Sequence, residues 1–120
     1  MDSDQQNILV VDDEYSVRDS LYNWFRKEGH AVRAVESAAE AISALQDEPA
    51  DVAIVDIKMP GMDGMELQKR IHESYPNTAV IMITAFATVK TAVQALKQGA
   101  FDYVTKPIDP DELSHLVHRA

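Results

Sequence analysis

Cysteine is absent from this chain of 120 residues, which excludes a disulfide framework and any thiolate metal site, and tolerates a reducing compartment. No apolar run approaches the ~20 residues that a membrane-spanning helix requires. Basic side chains are scarce: eleven Lys and Arg face twenty Asp and Glu, for a net charge of -9. That balance argues against direct, nonspecific binding of DNA or of an anionic membrane. Repeats, linkers and low-complexity tracts are missing too, so the chain reads as one domain spanning residues 1–120, long enough to bury roughly two thirds of its unfolded surface. The opening segment Met1-Asp2-Ser3-Asp4-Gln5-Gln6 lacks the basic and apolar regions of a signal peptide, and a cytoplasmic location is the expectation.

What the chain does contain is acid at the ends of short apolar runs. Ile8-Leu9-Val10-Val11 leads into Asp12-Asp13-Glu14, and Val52-Ala53-Ile54-Val55 leads into Asp56. Runs of this kind read as strands buried on both faces of a parallel sheet. The carboxylates then gather at the sheet's carboxyl edge, where open α/β folds place their ligands. Three converging negative charges repel one another unless a cation joins them.

Strands and helices alternate along the whole length. Val17, Leu21, Trp24 and Phe25 mark one face of a first helix that stops at Gly29. Ser37 and Glu40 form a capping box ahead of Ala38, Ala41, Ile42 and Leu45. A turn-rich loop from Met59 to Gly64 precedes a helix carrying Leu67 and Ile71. Ala79-Val80-Ile81-Met82-Ile83 is a fourth strand. Val89, Ala92, Val93 and Leu96 mark a helix, from about Thr88 to Lys97, that is ended by Gly99. Phe101 to Thr105 form a last strand, and Asp109 with Pro110 caps a final helix bearing Leu113, Leu116 and Val117. The second strand carries Arg33 and the fifth carries Asp102, which suits sheet edges. Right-handed crossovers with those two outside give a (βα)5, doubly wound, five-stranded parallel sheet of order 2-1-3-4-5, as in flavodoxin. That order makes strands one and three neighbours and brings Asp12, Asp13 and Asp56 together.

Thr84 follows the fourth apolar strand and Lys106 the fifth, so one edge holds three carboxylates, a hydroxyl and an ammonium. Magnesium prefers oxygen ligands and is commonly held by one or two carboxylates plus phosphate oxygens. A carboxylate can attack a phosphoryl donor, and the charge on the transferred group is then neutralised by metal, lysine and hydroxyl. Two other classes use related parts. A magnesium-dependent phosphatase of the haloacid dehalogenase type places its nucleophile in a first-strand D-x-D motif, whereas here the candidate nucleophile ends the third strand. A phosphorylation-independent interaction module would keep the fold without using the acceptor set.

Four motifs, in order and with this spacing, carry a resemblance over nearly the whole chain: Val10-Val11-Asp12-Asp13-Glu14, the run from Asp56 to Gly64, Ile83-Thr84-Ala85, and Tyr103-Val104-Thr105-Lys106-Pro107. The chain resembles the receiver domain of bacterial two-component response regulators. The resemblance implies that Asp56 is the phosphoacceptor, with Asp13 a direct ligand of Mg2+, Asp12 assisting largely through water, and the backbone carbonyl of Lys58 completing the protein's share. It also implies that Thr84 binds the phosphoryl group, that Lys106 pairs with it, that Tyr103 is a rotameric switch, and that the Lys106–Pro107 bond is cis. The implied partner is a sensor histidine kinase docking near the first helix, and the face of the fourth helix, fifth strand and fifth helix is the implied partner surface, for instance in a homodimer. The segment from Phe86 to Lys106 is similar to receivers of the nitrogen-regulation class, which control an ATPase domain that activates sigma-54 RNA polymerase and a DNA-binding domain. By that likeness the chain is the N-terminal part of a longer regulator, with nucleic-acid contact left to its output domains.

Plainer readings compete at single positions. Asp12, Asp13 or Glu14 can cap the first helix, favoured by its dipole. Tyr103 on an edge strand can be a half-buried packing aromatic. His30, His72, His115 and His118 show no common ligand geometry and read as solvated. Met59, Met62 and Met65 read as loop packing, and Trp24 as core. Phe86, two residues beyond Thr84, either shields an acyl phosphate from water or covers the adjacent helix.

Overall fold

The computed structural model describes residues 5–57, 64–85 and 89–120. The elements run β1 (Asn7–Val11), α1 (Tyr15–Lys27), β2 (Ala31–Val35), α2 (Ala38–Asp47), β3 (Val52–Asp56), α3 (Gly64–Ser74), β4 (Ala79–Thr84), α4 (Val89–Lys97), β5 (Asp102–Thr105) and α5 (Pro110–Arg119). All four strand pairings are parallel, in the order β2-β1-β3-β4-β5. The central strands β1, β3 and β4 are buried almost throughout, whereas β2 and β5 are mostly half-buried, as the mixed compositions of the outer strands lead one to expect.

Alternation along each strand sorts the core into two layers. Leu9, Val11, Ala53, Val55, Val80 and Met82 face α2, α3 and α4, meeting Ala41, Leu45, Leu67, Ile71 and Ala95. Ile8, Val10, Val52, Ile54, Ile81, Ile83 and Val104 face α1 and α5, meeting Leu21, Phe25, Leu113, Leu116 and Val117. Arg33 belongs on the edge strand for a specific reason. Its guanidinium donates to the carbonyls of Ala44 and Glu48, each at 2.8 Å, and so covers the C-terminal end of α2.

Helix ends follow the local chemistry with two corrections. Gly29 and Gly99 adopt φ of 97° and 101°, the left-handed geometry that closes α1 and α4. Ser37 Oγ accepts from the Glu40 N–H at 3.2 Å, but the Glu40 carboxylate reaches the N–H of Glu36, at 3.1 Å, so the reciprocal half of the box falls one residue early. Asp109 accepts from the Asp111 N–H at 3.0 Å, with Pro110 opening α5. At α1 the N-cap residue is Glu14, and its side chain makes no capping hydrogen bond. Asp12 Oδ1 instead accepts the Glu14 N–H at 2.9 Å, so the acids ahead of α1 do not cap it in the expected manner.

α4 departs further from its reading. Val93 and Leu96 are exposed and Ala95 is the buried position, because a small side chain lets this helix lie close on the sheet. The side chain of Val89, and Thr88, Phe86 and the loop from Lys58 to Asp63 (with Met59 and Met62), lie outside the described residues. Among the described residues no helix is long and apolar enough to cross a membrane.

Phe25 is fully buried between α1 and the sheet. Replacing Phe25 with Ala should lower unfolding free energy by about 3–5 kcal/mol, the range for emptying a buried aromatic site. Urea titration should show a reduced midpoint with an unchanged slope.

Candidate functional site

The register of β1 on β3 pairs Val11 with Val55, so the next residues, Asp12 and Asp56, come level at the carboxyl edge. Ligand oxygens of Asp12, Asp13 and Asp56 lie within 4.8 Å of one another. Asp12 and Asp56 are buried and Asp13 is exposed, so the cluster opens to solvent on the Asp13 side. Gly64 fixes the backbone behind Asp56. Its N–H donates to the Ile57 carbonyl at 2.6 Å, and a methyl group there would collide with the carbonyl oxygen of Asp56. Only glycine lets α3 begin this close.

Lys106 arrives from the other side. Its backbone N–H donates to the Thr84 carbonyl at 2.7 Å, continuing the β4–β5 ladder past the end of the strand. The ammonium lies 2.7 Å from Glu14 Oε1, 3.1 Å from Asp12 Oδ2 and 3.5 Å from Asp56 Oδ2. The Lys106–Pro107 bond is cis, as the sequence motif implies. Burial alone would push the ammonium pKa down, but the contacts with Glu14 and Asp12 and the charges of Asp12 and Asp56 outweigh it and hold the group above its ordinary value.

Thr84 is buried at the end of β4. It shares strand parity with Met82, whose neighbour on β5 is Tyr103, so Thr84 and Tyr103 belong to the same face of the sheet. Tyr103 is half-buried, and its hydroxyl is 2.7 Å from Thr91 Oγ1 on α4. The aromatic ring is therefore tied to the helix above it. The structure thus gathers Asp12, Asp13, Asp56 and Lys106 and sets Thr84 beside them; Lys58 lies outside the described residues.

The oxygen-only donor set suits a hard divalent cation. Asp12 Oδ2 strengthens that fit. It is buried and without a hydrogen bond of good geometry, meeting Lys106 only as an ion pair, so it keeps capacity for a cation.

Two readings are corrected away from this edge. His30 is buried rather than solvated, and with Glu28 and His118 it forms a second cluster of potential ligands at the opposite edge of the sheet. Periodicity missed it because the three residues meet only through the packing of α1 on α5. It makes a poor metal centre: the Gln6 N–H donates to His30 Nδ1 at 3.0 Å, which leaves the neutral ring's proton on Nε2, the atom a metal would need. Trp24 is half-buried rather than core, and its indole N–H donates to Ser114 Oγ at 2.7 Å, which in turn donates to Glu28 at 2.8 Å.

The structure is a wound parallel sheet with an acid trio, a lysine and a threonine at one edge. The comparisons agree: residues 8–118 match the family "Response regulator receiver domain", and the chain belongs to that family. It is 46% identical over 114 residues to the DNA-binding transcriptional regulator NtrC of Proteus hauseri, covering 95% of this chain and 24% of that protein. The crystal structure of a CheY-like receiver domain protein from Methanospirillum hungatei superposes with a TM-score of 0.91 at 32% identity, covering 96% of this chain and 92% of that one. NtrX from Brucella abortus gives 0.90 at 35% identity, with 97% and 26% covered. The chain spans about a quarter of the length of the curated NtrC-type relatives it matches, 24% for NtrC of Proteus hauseri. With the family shown and the candidate nucleophile at the end of β3, the phosphatase alternative falls.

Removing Lys106 leaves the carboxylates without that counter-ion, so Lys106→Met should lower stability in the absence of divalent ions. The pKa of Lys106 is raised above the ordinary 10.5, so its stabilisation is full below that pH and fades only as pH rises through the higher folded value. Urea unfolding of both proteins at pH 7 and pH 9 should therefore give the same difference at each pH. Millimolar Mg2+ should raise the Tm of the wild type, and Asp13→Asn should lose most of that shift in the same thermal scan.

Proposed function

We propose that this receiver domain is a phosphorylation-controlled switch in which Asp56 accepts a phosphoryl group from the phosphohistidine of a sensor histidine kinase. The observation that carries the reading is the placement of buried Asp56 within 4.8 Å of two further acids and 3.5 Å from the Lys106 ammonium. Asp12, Asp13 and Asp56 would hold Mg2+, together with the Lys58 carbonyl implied by the family motif. When bound, the ion supplies positive charge for phosphoryl oxygens and relieves the repulsion between donor and acids.

An oxygen of Asp56 attacks phosphorus, the phosphorus–nitrogen bond of the donor breaks, and its electron pair returns to the imidazole. Lys106 then turns to the new phosphoryl oxygens, and the Thr84 hydroxyl donates to another. Movement of Thr84 changes the space beside Tyr103, which lies on the same face. Because Tyr103 is bonded to Thr91, a change in its position is felt by α4. The phosphoryl group biases the equilibrium through contacts made only in the modified state. The domain catalyses only its own phosphorylation and slow dephosphorylation.

Docking by the kinase is supported by a groove of about 570 Å³ between α1 and the start of α5, lined by Val17, Leu21, Trp24, Ile108 and Lys106 beside the acceptor. Exposed Val93, Leu96 and Phe101 give the α4–β5–α5 side an apolar surface for a partner or a second copy of the domain. The NtrC-type relatives support a longer regulator, with this switch controlling an ATPase domain that activates sigma-54 polymerase and a DNA-binding domain.

Incubation with acetyl phosphate and Mg2+ should add one phosphoryl mass to the protein, localised by peptide mapping to Asp56. Asp56→Asn should abolish the adduct. Undiminished labelling of that variant would refute the assignment.

A further inference from the structure

We propose that Glu14 is a positioning residue that holds Lys106 back in the resting state and is displaced from it when Asp56 carries a phosphoryl group. This rests on the phosphoacceptor reading of Asp56 and adds a determinant of how readily that site is occupied.

Glu14 occupies the N-cap of α1, where a short polar side chain would normally accept from the helix N–H groups, yet it makes no capping bond. Its backbone N–H is engaged by Asp12 Oδ1, and its carboxylate turns instead to the Lys106 ammonium. At 2.7 Å this is the shortest of the three lysine contacts, against 3.1 Å for Asp12 and 3.5 Å for Asp56. The three acids differ in freedom. Glu14 is 56% exposed, whereas the Asp12 and Asp56 side chains are 0% and 6% exposed and held at strand ends.

An ammonium has three donors, and each faces a carboxylate in the resting site. A phosphoryl group on Asp56 brings further strong acceptors toward the same ammonium. Asp12 is fixed, so the contact that gives way is the one to Glu14, whose side chain opens into water at little cost. Glu14 also places a negative charge beside an incoming anion. Both effects favour the unmodified state, and both vanish when the carboxylate is removed.

The test uses beryllofluoride with saturating Mg2+ as a phosphoryl mimic, with affinity measured calorimetrically on the wild type, Glu14→Gln, Lys106→Met and the double variant. Glu14→Gln should bind beryllofluoride roughly two- to five-fold more tightly, the range an exposed ion pair supports. In the Lys106→Met background the same substitution should lose most of that gain. Equal affinity of Glu14→Gln and wild type would overturn the proposal. So would an undiminished gain without Lys106, since Glu14 would then act by its charge alone. Wild type that binds no beryllofluoride would overturn the phosphoacceptor reading and this one with it, whereas binding that is unaltered by Glu14→Gln overturns this one only.

Discussion

Carboxylates crowded at the carboxyl edge of β1 and β3 are the constraint around which the rest of the molecule is arranged. Asp12 and Asp56 are buried, and like charges at this range repel strongly once water is excluded. The fold brings Lys106 to them from β5, across the β4 strand, and the contacts with Glu14, Asp12 and Asp56 hold its ammonium pKa above the ordinary value. In the proposed mechanism a metal would relieve the acids and a phosphoryl group would draw the lysine, so the resting charge balance and the switch would use the same set of contacts.

Beside this edge, α4 meets its surroundings unevenly. Among its described side chains Ala95 is buried, Thr91, Ala92 and Gln98 beyond it are half-buried, and Val93 and Leu96 are exposed. At its C-terminal end the backbone is pinned: Gln68 of α3 donates to the Gln98 carbonyl at 2.9 Å, and a side chain at Gly99 would strike the His72 ring. Toward its N-terminal end, Thr91 Oγ1 lies 2.7 Å from the Tyr103 hydroxyl. α1 and α5 contrast with it. They share a packed layer with Phe25, Leu113 and Val117, plus the Trp24–Ser114–Glu28 chain, so the groove beside Lys106 has a stiff wall.

Much of this was legible in the residue order. Alternating apolar runs, Gly29 and Gly99 at helix ends, Asp109-Pro110 at the start of α5, and the mixed outer strands led to the observed sheet order without reference to contacts. Those features are local, set by backbone preference and by which side chains tolerate burial. The acids ending two buried strands pointed to one edge for the same reason, because a parallel sheet leaves little freedom in where strand ends meet.

Partner choice was not legible, since it is decided by distances between segments remote in the chain. The residue order alone determined a doubly wound parallel sheet and which acids, threonine and lysine end its strands, because hydrophobic period and strand composition fix which ends converge; the likeness to receivers rested on the motifs at those ends. Only the folded chain decided that Glu14 serves Lys106 rather than its own helix. The same is true of Tyr103 bonding Thr91, and of His30 lying buried beside His118 with its Nδ1 already taken by Gln6. A side chain at the rim of a site takes the partner that packing brings within reach, and that reach is a property of three dimensions.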